Sequence, residues 1–398
     1  GGGEASVRCT QRNTRARWCR SLTWMIQTAT SQSPISIHSI APAQVIRGSG
    51  AWVEAQKPIS NLFRNPLLLG RSESTQAMRS RLSRELNQSG LRVFEENLEH
   101  DCCEPDLQRL QKAFVRQSCD GVIAAGGGKV LDSGKLLADR LEVPCVTVPL
   151  SAATCAGWTA LSNLYSPDGA FECDQGLKRC PDLLVFDHDL LLKAPERTLA
   201  SGIADALAKW YEASVSSGSS QDGVIQQAVQ MARVLRDQLL IDSISAMQEP
   251  GGEAWKRVVD ACGLTAGVIG GLGGARCRTV AAHAVHNGLT QLEACHSVLH
   301  GEKVGFGILV QLRLEERLGG NRLAAQAHRQ LLPLLRDLGL PVCLEDLGLG
   351  HASLNQLQQV CQFACRDGSD LHHLPFEVTP GALMEALVGA AETSSVLP

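Results

Sequence analysis

Two histidines three residues apart, His283 and His286, sit in the alanine-rich stretch AAHAVHNGLT. That spacing places both imidazoles on one face of a helix. His300 opens HGEKVGFGILVQL, far enough along for one helix to finish and another to begin. Imidazoles are common ligands of divalent metals, and a catalytic metal with an open position takes three protein ligands. Asp205, in SGIADALAKWYEAS, is a candidate for the third. A carboxylate near a helix start is equally well a cap, and a lone helical histidine is more often structural. Spacing alone leaves both readings open.

A second chemical feature is AAGGGKVLDSGK. The three glycines Gly126, Gly127 and Gly128 would let backbone N–H groups approach a pyrophosphate, and the following helix offers its N-terminus to the anion. The pattern is neither G-x-G-x-x-G nor a Walker loop. Its place after an apolar strand and before a helix favours phosphate binding over a plain tight turn.

The elements that would position these residues fall in two textures. PLLLG (66–70), LRVFEE (91–96), GVIAAGGGK (121–129) and PCVTVPL (144–150) read as buried strands. Between them run helical stretches at 72–90, 104–118 and after Lys129. Alternating buried strands and helices predict a parallel sheet covered on both faces. After about residue 193 nearly everything has helical period, for example TLASGIADALAKWYEASV, VIQQAVQMARVLRDQLL and AWKRVVDACGLTAGVIG. The expected organisation is an α/β nucleotide-binding domain over 37–193 with a parallel sheet, then an all-helical metal-binding domain over 194–398. Active sites favour the cleft between two such halves.

Composition narrows the function classes. A net charge of -4 over 398 residues gives no basic footprint for nucleic acid. No apolar run reaches the length of a membrane span. The 15 cysteines are scattered and fit no zinc-knuckle spacing. Free buried thiols and a reducing, cytoplasmic compartment are the expectation. The first residues, GGGEASVRCTQRNTRARWCRS, are arginine-rich, and the first methionine is Met25. A transit peptide is one reading and a start at Met25 the favoured one. Residues 1–36 are expected to lie outside the fold.

GGGKVLDSGK, GIADALAKWYEA, AAHAVHNGLT and LHGEKVGFGILVQ together resemble the successive signatures of the glycerol dehydrogenase group. That group belongs to the metal-dependent (iron-containing) alcohol dehydrogenase superfamily. The resemblance runs in order over about residues 37–390. It implies the dehydroquinate synthase-like two-part fold, NAD(H) or NADP(H), and one divalent ion, zinc or iron. It places the metal on Asp205, His283 and His300. His286 falls outside that set, where it would tune the site or relay protons. The cofactor would lie along Gly126, Gly127, Gly128, Lys129, Val130, Leu131 and Asp132. Its nicotinamide half would meet Leu150, Ser151, Ala152, Ala153, Thr159, Leu161 and Tyr165. The reaction implied is metal-assisted hydride transfer on a small molecule, in a homo-oligomer.

Two departures refine the reading. Where glycerol dehydrogenases usually carry an acidic residue against the polyol hydroxyls, this chain has Cys155, and AATCAGWTALS resembles the hydroxycarboxylate dehydrogenase branch. A small 2-oxo acid is therefore the expected substrate, with Trp158 narrowing the pocket and Lys209, one turn after Asp205, adding positive charge. Where NAD users often place an Asp after the strand-end glycine, this chain reads Gly70-Arg71-Ser72. Arg71 could pair with a 2′-phosphate, so NADP(H) or dual use is expected. Glycerol oxidation is the alternative. A dehydroquinate synthase-like lyase is an alternative of another class, disfavoured by Asp205 and AHAVHNG. A non-enzymatic nucleotide sensor would have a damaged metal triad.

Overall fold

The structure, a computed structural model, describes residues 35–393 apart from 275, 276 and 278. Most of the expected N-terminal extension lies outside the described residues. The chain from Ser39 onward forms one compact unit.

Six parallel strands build the sheet: β1 (Gln44–Gly48), β2 (Pro66–Gly70), β3 (Phe94–Asn97), β4 (Gly121–Gly126), β5 (Cys145–Pro149) and β8 (Leu183–Asp187), in the order β1-β8-β5-β4-β2-β3. A separate antiparallel hairpin is made by β6 (Leu161–Tyr165) and β7 (Phe171–Gly176). Helices α1 (Ala51–Leu62), α2 (Gln76–Gln88), α3 (Glu104–Arg116) and α4 (Gly128–Leu141) connect strands, and the short α5 (His188–Leu191) follows β8.

The four central strands β2, β4, β5 and β8 are buried along their whole length because both faces are covered, whereas the edge strands β1 and β3 are more polar and partly exposed. Leu68, Ile123 and Ala125 point to one face, where Trp52, Ala55 and Ile59 of α1 and Leu82 and Leu86 of α2 close over them. Leu67, Leu69, Val122 and Ala124 point to the other, under Leu107 and Leu110 of α3 and Leu136 and Leu137 of α4. Each such leucine contributes about 1.5–3 kcal/mol by leaving water. The chain leaves β2 for β3 in one direction and β4 for β5 in the other. The crevice between the C-terminal ends of β2 and β4 is therefore the sheet's topological switch point, where open α/β sheets bind ligands. Arg71 and the glycine turn flank it.

The rest of the chain is helical, as its period predicts. It comprises α6 (Glu196–Ser217), α7 (Gly223–Gln248), α8 (Glu253–Asp260), α9 (Ala266–Gly273), α10 (Ala281–Leu289), α11 (His300–Arg317), α12 (Arg322–Asp337), α13 (Leu354–Ala364) and α14 (Pro380–Val388). A π-helical turn, Ala261–Thr265, joins α8 to α9. There Gly263 lies against the Phe186 ring, where a Cβ would come within 2.3 Å of it. Among the described residues no helix is long and apolar enough to cross a membrane.

Candidate active site

Helix α6 is apolar on nearly all sides, yet buries Asp205, Lys209 and Glu212. Their spacing of four and then three residues puts them along one stripe. Two glycines allow that stripe to be covered closely. A Cβ on Gly202 would fall 1.9 Å from the Ala152 carbonyl oxygen, and one on Gly301 would fall 1.8 Å from the Ser201 carbonyl oxygen. The Gly301 N–H donates to Ser201 Oγ at 3.0 Å. Beside this crossing Arg197 Nε donates to Glu302 Oε1 at 2.8 Å, pinning the start of α6 to the start of α11. His300, the first residue of α11, is thereby brought against Asp205.

The three residues singled out from the sequence converge. Asp205 Oδ1 lies 3.1 Å from His300 Nε2 and 3.3 Å from His283 Nε2. One ligand atom from each lies within 4.8 Å of the others. Glu212, which the sequence reading passed over, sits beneath. Its Oε1 is 2.5 Å from His283 Nδ1, while Oε2 accepts the backbone N–H groups of Val280 and His283. A carboxylate on the far ring nitrogen fixes the imidazole and leaves Nε2 free for a ligand role. The signal was present: Glu212 shares the helix face of Asp205.

Electrostatics agree with a cation site. Burial opposes the Asp205 carboxylate, but His300 and His283 hold it well below the usual range. Burial likewise opposes the His283 imidazolium, yet Glu212 and Asp205 lift it to about 10. Two buried carboxylates here call for positive charge, which a divalent ion held by Asp205, His283 and His300 would supply. One carboxylate and two imidazoles are a donor set that suits zinc or iron.

His286 is 1% exposed and does not line the pocket. Its ring stands 4.2 Å from that of His300, centroid to centroid, and Nδ1 lies 2.8 Å from Asn287 Oδ1. Burial, with His300 and Lys303 nearby, keeps it neutral. It supports His300 from behind.

A pocket of about 290 Å³ opens over the triad. Gly127, Gly128, Lys129, Asp132, Ser151, Ala153, Cys155, Thr159, Leu161, Tyr165 and Lys209 all line it. Lys135 holds one wall, donating from Nζ to the carbonyl oxygens of Thr159 (2.9 Å) and Leu161 (2.6 Å). The β6–β7 hairpin supplies Phe171 and Asp174. A cleft of about 740 Å³ continues over the switch point, past Gly126, Val130 and Leu150 to Arg71.

Three expectations are corrected. Trp158 does not narrow the pocket: its indole packs against Gly267, and Nε1 donates to the Ile40 carbonyl oxygen at 2.9 Å. Leu131 points its side chain into the apolar layer beneath α4, and Ala152 into the helical core, so either could meet a cofactor through its backbone alone. Each is an apolar side chain buried in a core rather than in the cleft.

Residues 42–188 match the family profile described as iron-containing alcohol dehydrogenase. The chain is 52% identical over 355 residues to an uncharacterised oxidoreductase of Synechocystis, covering 89% of this chain and 92% of that protein. Hydroxycarboxylate dehydrogenase A of Escherichia coli is 36% identical over 291 residues, covering 72% of this chain and 78% of that protein. A probable glycerol dehydrogenase of Sinorhizobium meliloti, of known structure, is 30% identical with a TM-score of 0.77, covering 88% and 97%. These likenesses set the lyase reading aside. The chain belongs to the iron-containing alcohol dehydrogenase family, among its glycerol dehydrogenase-like members, and is an oxidoreductase acting on CH–OH groups.

Proposed function

We propose that this protein interconverts a small 2-oxo acid and its 2-hydroxy acid with a nicotinamide dinucleotide. One observation carries the reading. Lys209 is 6% exposed and lines the pocket over the triad, yet its ammonium group makes no hydrogen bond or ion pair among the described residues. An ammonium that faces the pocket with no protein partner is available to a substrate carboxylate, which would form a charge-assisted hydrogen bond with it. Beside it, burial pushes the Cys155 thiol up and keeps it neutral. An aspartate there would repel a substrate carboxylate by roughly 4 kcal/mol at 4 Å for an effective dielectric of 20.

The family binds NAD(P) and a divalent metal. Here Asp205, His283 and His300 would hold the ion, and Glu212 would orient His283. When bound, the ion would act as a Lewis acid on the substrate oxygen. The nicotinamide C4 would exchange a hydride with the substrate carbon. The turn at Gly126–Gly128 and the N-terminus of α4 would take the pyrophosphate, with Lys129 beside it. Asp132, Ser151, Thr159, Leu161 and Tyr165 would enclose the nicotinamide. Lys209 would hold the carboxylate and so present the carbonyl in one orientation.

At the other end of the cleft Arg71, Arg81 and Lys193 are lining residues; Arg71 and Arg81 also pair with Asp101 and Glu85, which are not among the lining residues. That charge suits a 2′-phosphate and supports use of NADP(H), alone or with NAD(H).

Glycerol oxidation is the second reading, favoured by the likeness to the probable glycerol dehydrogenase of known structure. The two separate by kcat/KM for 2-oxobutanoate and for glycerol in the natural protein, in Lys209→Met and in Cys155→Asp. Each substitution is expected to lower kcat/KM for the oxo acid about tenfold or more, on the order of 1.4 kcal/mol. A natural protein that oxidises glycerol efficiently and ignores 2-oxo acids returns the chain to polyol chemistry.

A further inference from the structure

The loop after β3 and the first turn of α3 read HDCCEPD. His100, Cys103 and Asp106 fall three residues apart, and the fold draws them together. Asp106 Oδ2 accepts the backbone N–H groups of Glu99 (2.9 Å) and His100 (2.8 Å). This holds Oδ1 toward the His100 ring, 2.9 Å from Nδ1. Cys103 precedes the helix in extended conformation. A donor atom from each of the three residues lies within 4.8 Å of the others.

We propose that His100, Cys103 and Asp106 form a second metal site, separate from the catalytic one, that takes a thiophilic divalent cation of the zinc class.

Ligands of a tetrahedral zinc stand about 3.3–3.8 Å apart, so Nδ1 and Oδ1 would open by a few tenths of an ångström and the sulfur, within 4.8 Å of the other donors, would close by at most about one ångström. A thiolate, a carboxylate and a neutral imidazole carry two negative charges, which match a dication and leave one position for water. The sulfur selects zinc, cobalt or cadmium over magnesium or calcium. A plain helix cap would call for Ser, Thr, Asp or Asn, and sulfur is a weak acceptor there. The surroundings favour positive charge, since the carboxylates of Asp106, Asp101 and Glu172 all act on Cys103. The His100 side chain is 44% exposed, which gives an ion a way in. An ion held here would tie the loop to the start of α3. The same loop carries Asp101, whose carboxylate engages Arg71 (2.6 Å) and Lys129 (3.6 Å) at the cofactor cleft.

The two sites differ in chemistry, since the catalytic triad contains no sulfur. Full-length protein is stripped with a chelator and titrated with cobalt(II), following bound metal per chain and the sulfur-to-cobalt charge-transfer absorption in the near ultraviolet. Two equivalents are expected, one with the charge-transfer band. Cys103→Ser should lose the band and one equivalent, whereas Cys155→Ser should keep both. His100→Gln, a half-exposed position that leaves the fold alone, should weaken the second equivalent on the order of tenfold or more. A single equivalent in the natural protein, a band that survives Cys103→Ser, or a second equivalent indifferent to His100→Gln would overturn the proposal.

Discussion

Glu212 Oε1 lies 2.5 Å from Nδ1 of His283, with the Glu212 side chain fully buried and the His283 ring partly open to the pocket. The contact determines which ring nitrogen is free to face Asp205. Glu212→Gln keeps the shape but removes the charge that favours the Nδ1–H tautomer. Metal affinity, measured by chelator competition, is expected to fall on the order of 10–100-fold. Activity should recover at saturating metal. Unchanged affinity would mean that Glu212 only caps the backbone of α10.

Arg71 donates to Asp101 at 2.6 Å and lies at the rim of the cofactor cleft, 38% exposed. It is already held in place, so a 2′-phosphate would meet a positioned guanidinium. Arg71→Asp introduces like-charge repulsion against that phosphate and offers an acceptor to a ribose hydroxyl. The ratio of kcat/KM for NADPH to that for NADH is expected to fall at least tenfold. Equal ratios in both proteins would remove Arg71 from cofactor choice.

Gly301 is the narrowest point between α6 and α11, with its missing Cβ aimed 1.8 Å from the Ser201 carbonyl oxygen. Gly301→Ala must separate the two helices, a strain of about 1–3 kcal/mol by the usual cost of overpacking. Because His300 precedes it directly, the separation also moves a ligand away from Asp205. Thermal unfolding should show a lower Tm, together with loss of the stabilisation that added metal gives the natural protein. Gly305→Ala is the milder control, since its Cβ would stand 3.0 Å from Ala204 Cβ.

Much of this was legible in the residues, for physical reasons that differ by element. PLLLG and GVIAAG are apolar without alternation because both faces of the sheet are covered, and β2 and β4 begin where those runs begin. Asp205, His283 and His300 carry donor chemistry in their own types. Glu212 was missed because its role depends on an imidazole far along the chain. Trp158 was misplaced because sequence proximity to Cys155 does not say which way an indole turns; Gly267 leaves the room that decides it. The β6–β7 hairpin has exposed residues along β7 and little periodic signal, yet it forms a wall of the pocket.

Glu315 is a buried carboxylic acid on α11 that the chemistry does not use. It is 6% exposed, and Gln311 Nε2 reaches Oε2 at 3.3 Å. Burial raises its pKa from 4.5 to about 7, against the opposing hydrogen bonds from Gln311 and Asn321. The folded state therefore binds a proton more tightly than the unfolded state between about pH 4.5 and 7. In that window the unfolded chain holds fewer protons, so this group's contribution to stability falls as pH rises. The loss is complete above about pH 7 and absent below about pH 4.5. Its ceiling is about 3 kcal/mol, from 1.36 kcal/mol per unit. Glu315→Gln keeps an oxygen for Gln311 and cannot ionise. Chemical denaturation at pH 8 should find the variant more stable than the natural protein. The difference should shrink steadily toward pH 5. A difference that is flat across that range would show that Glu315 reaches water and titrates normally.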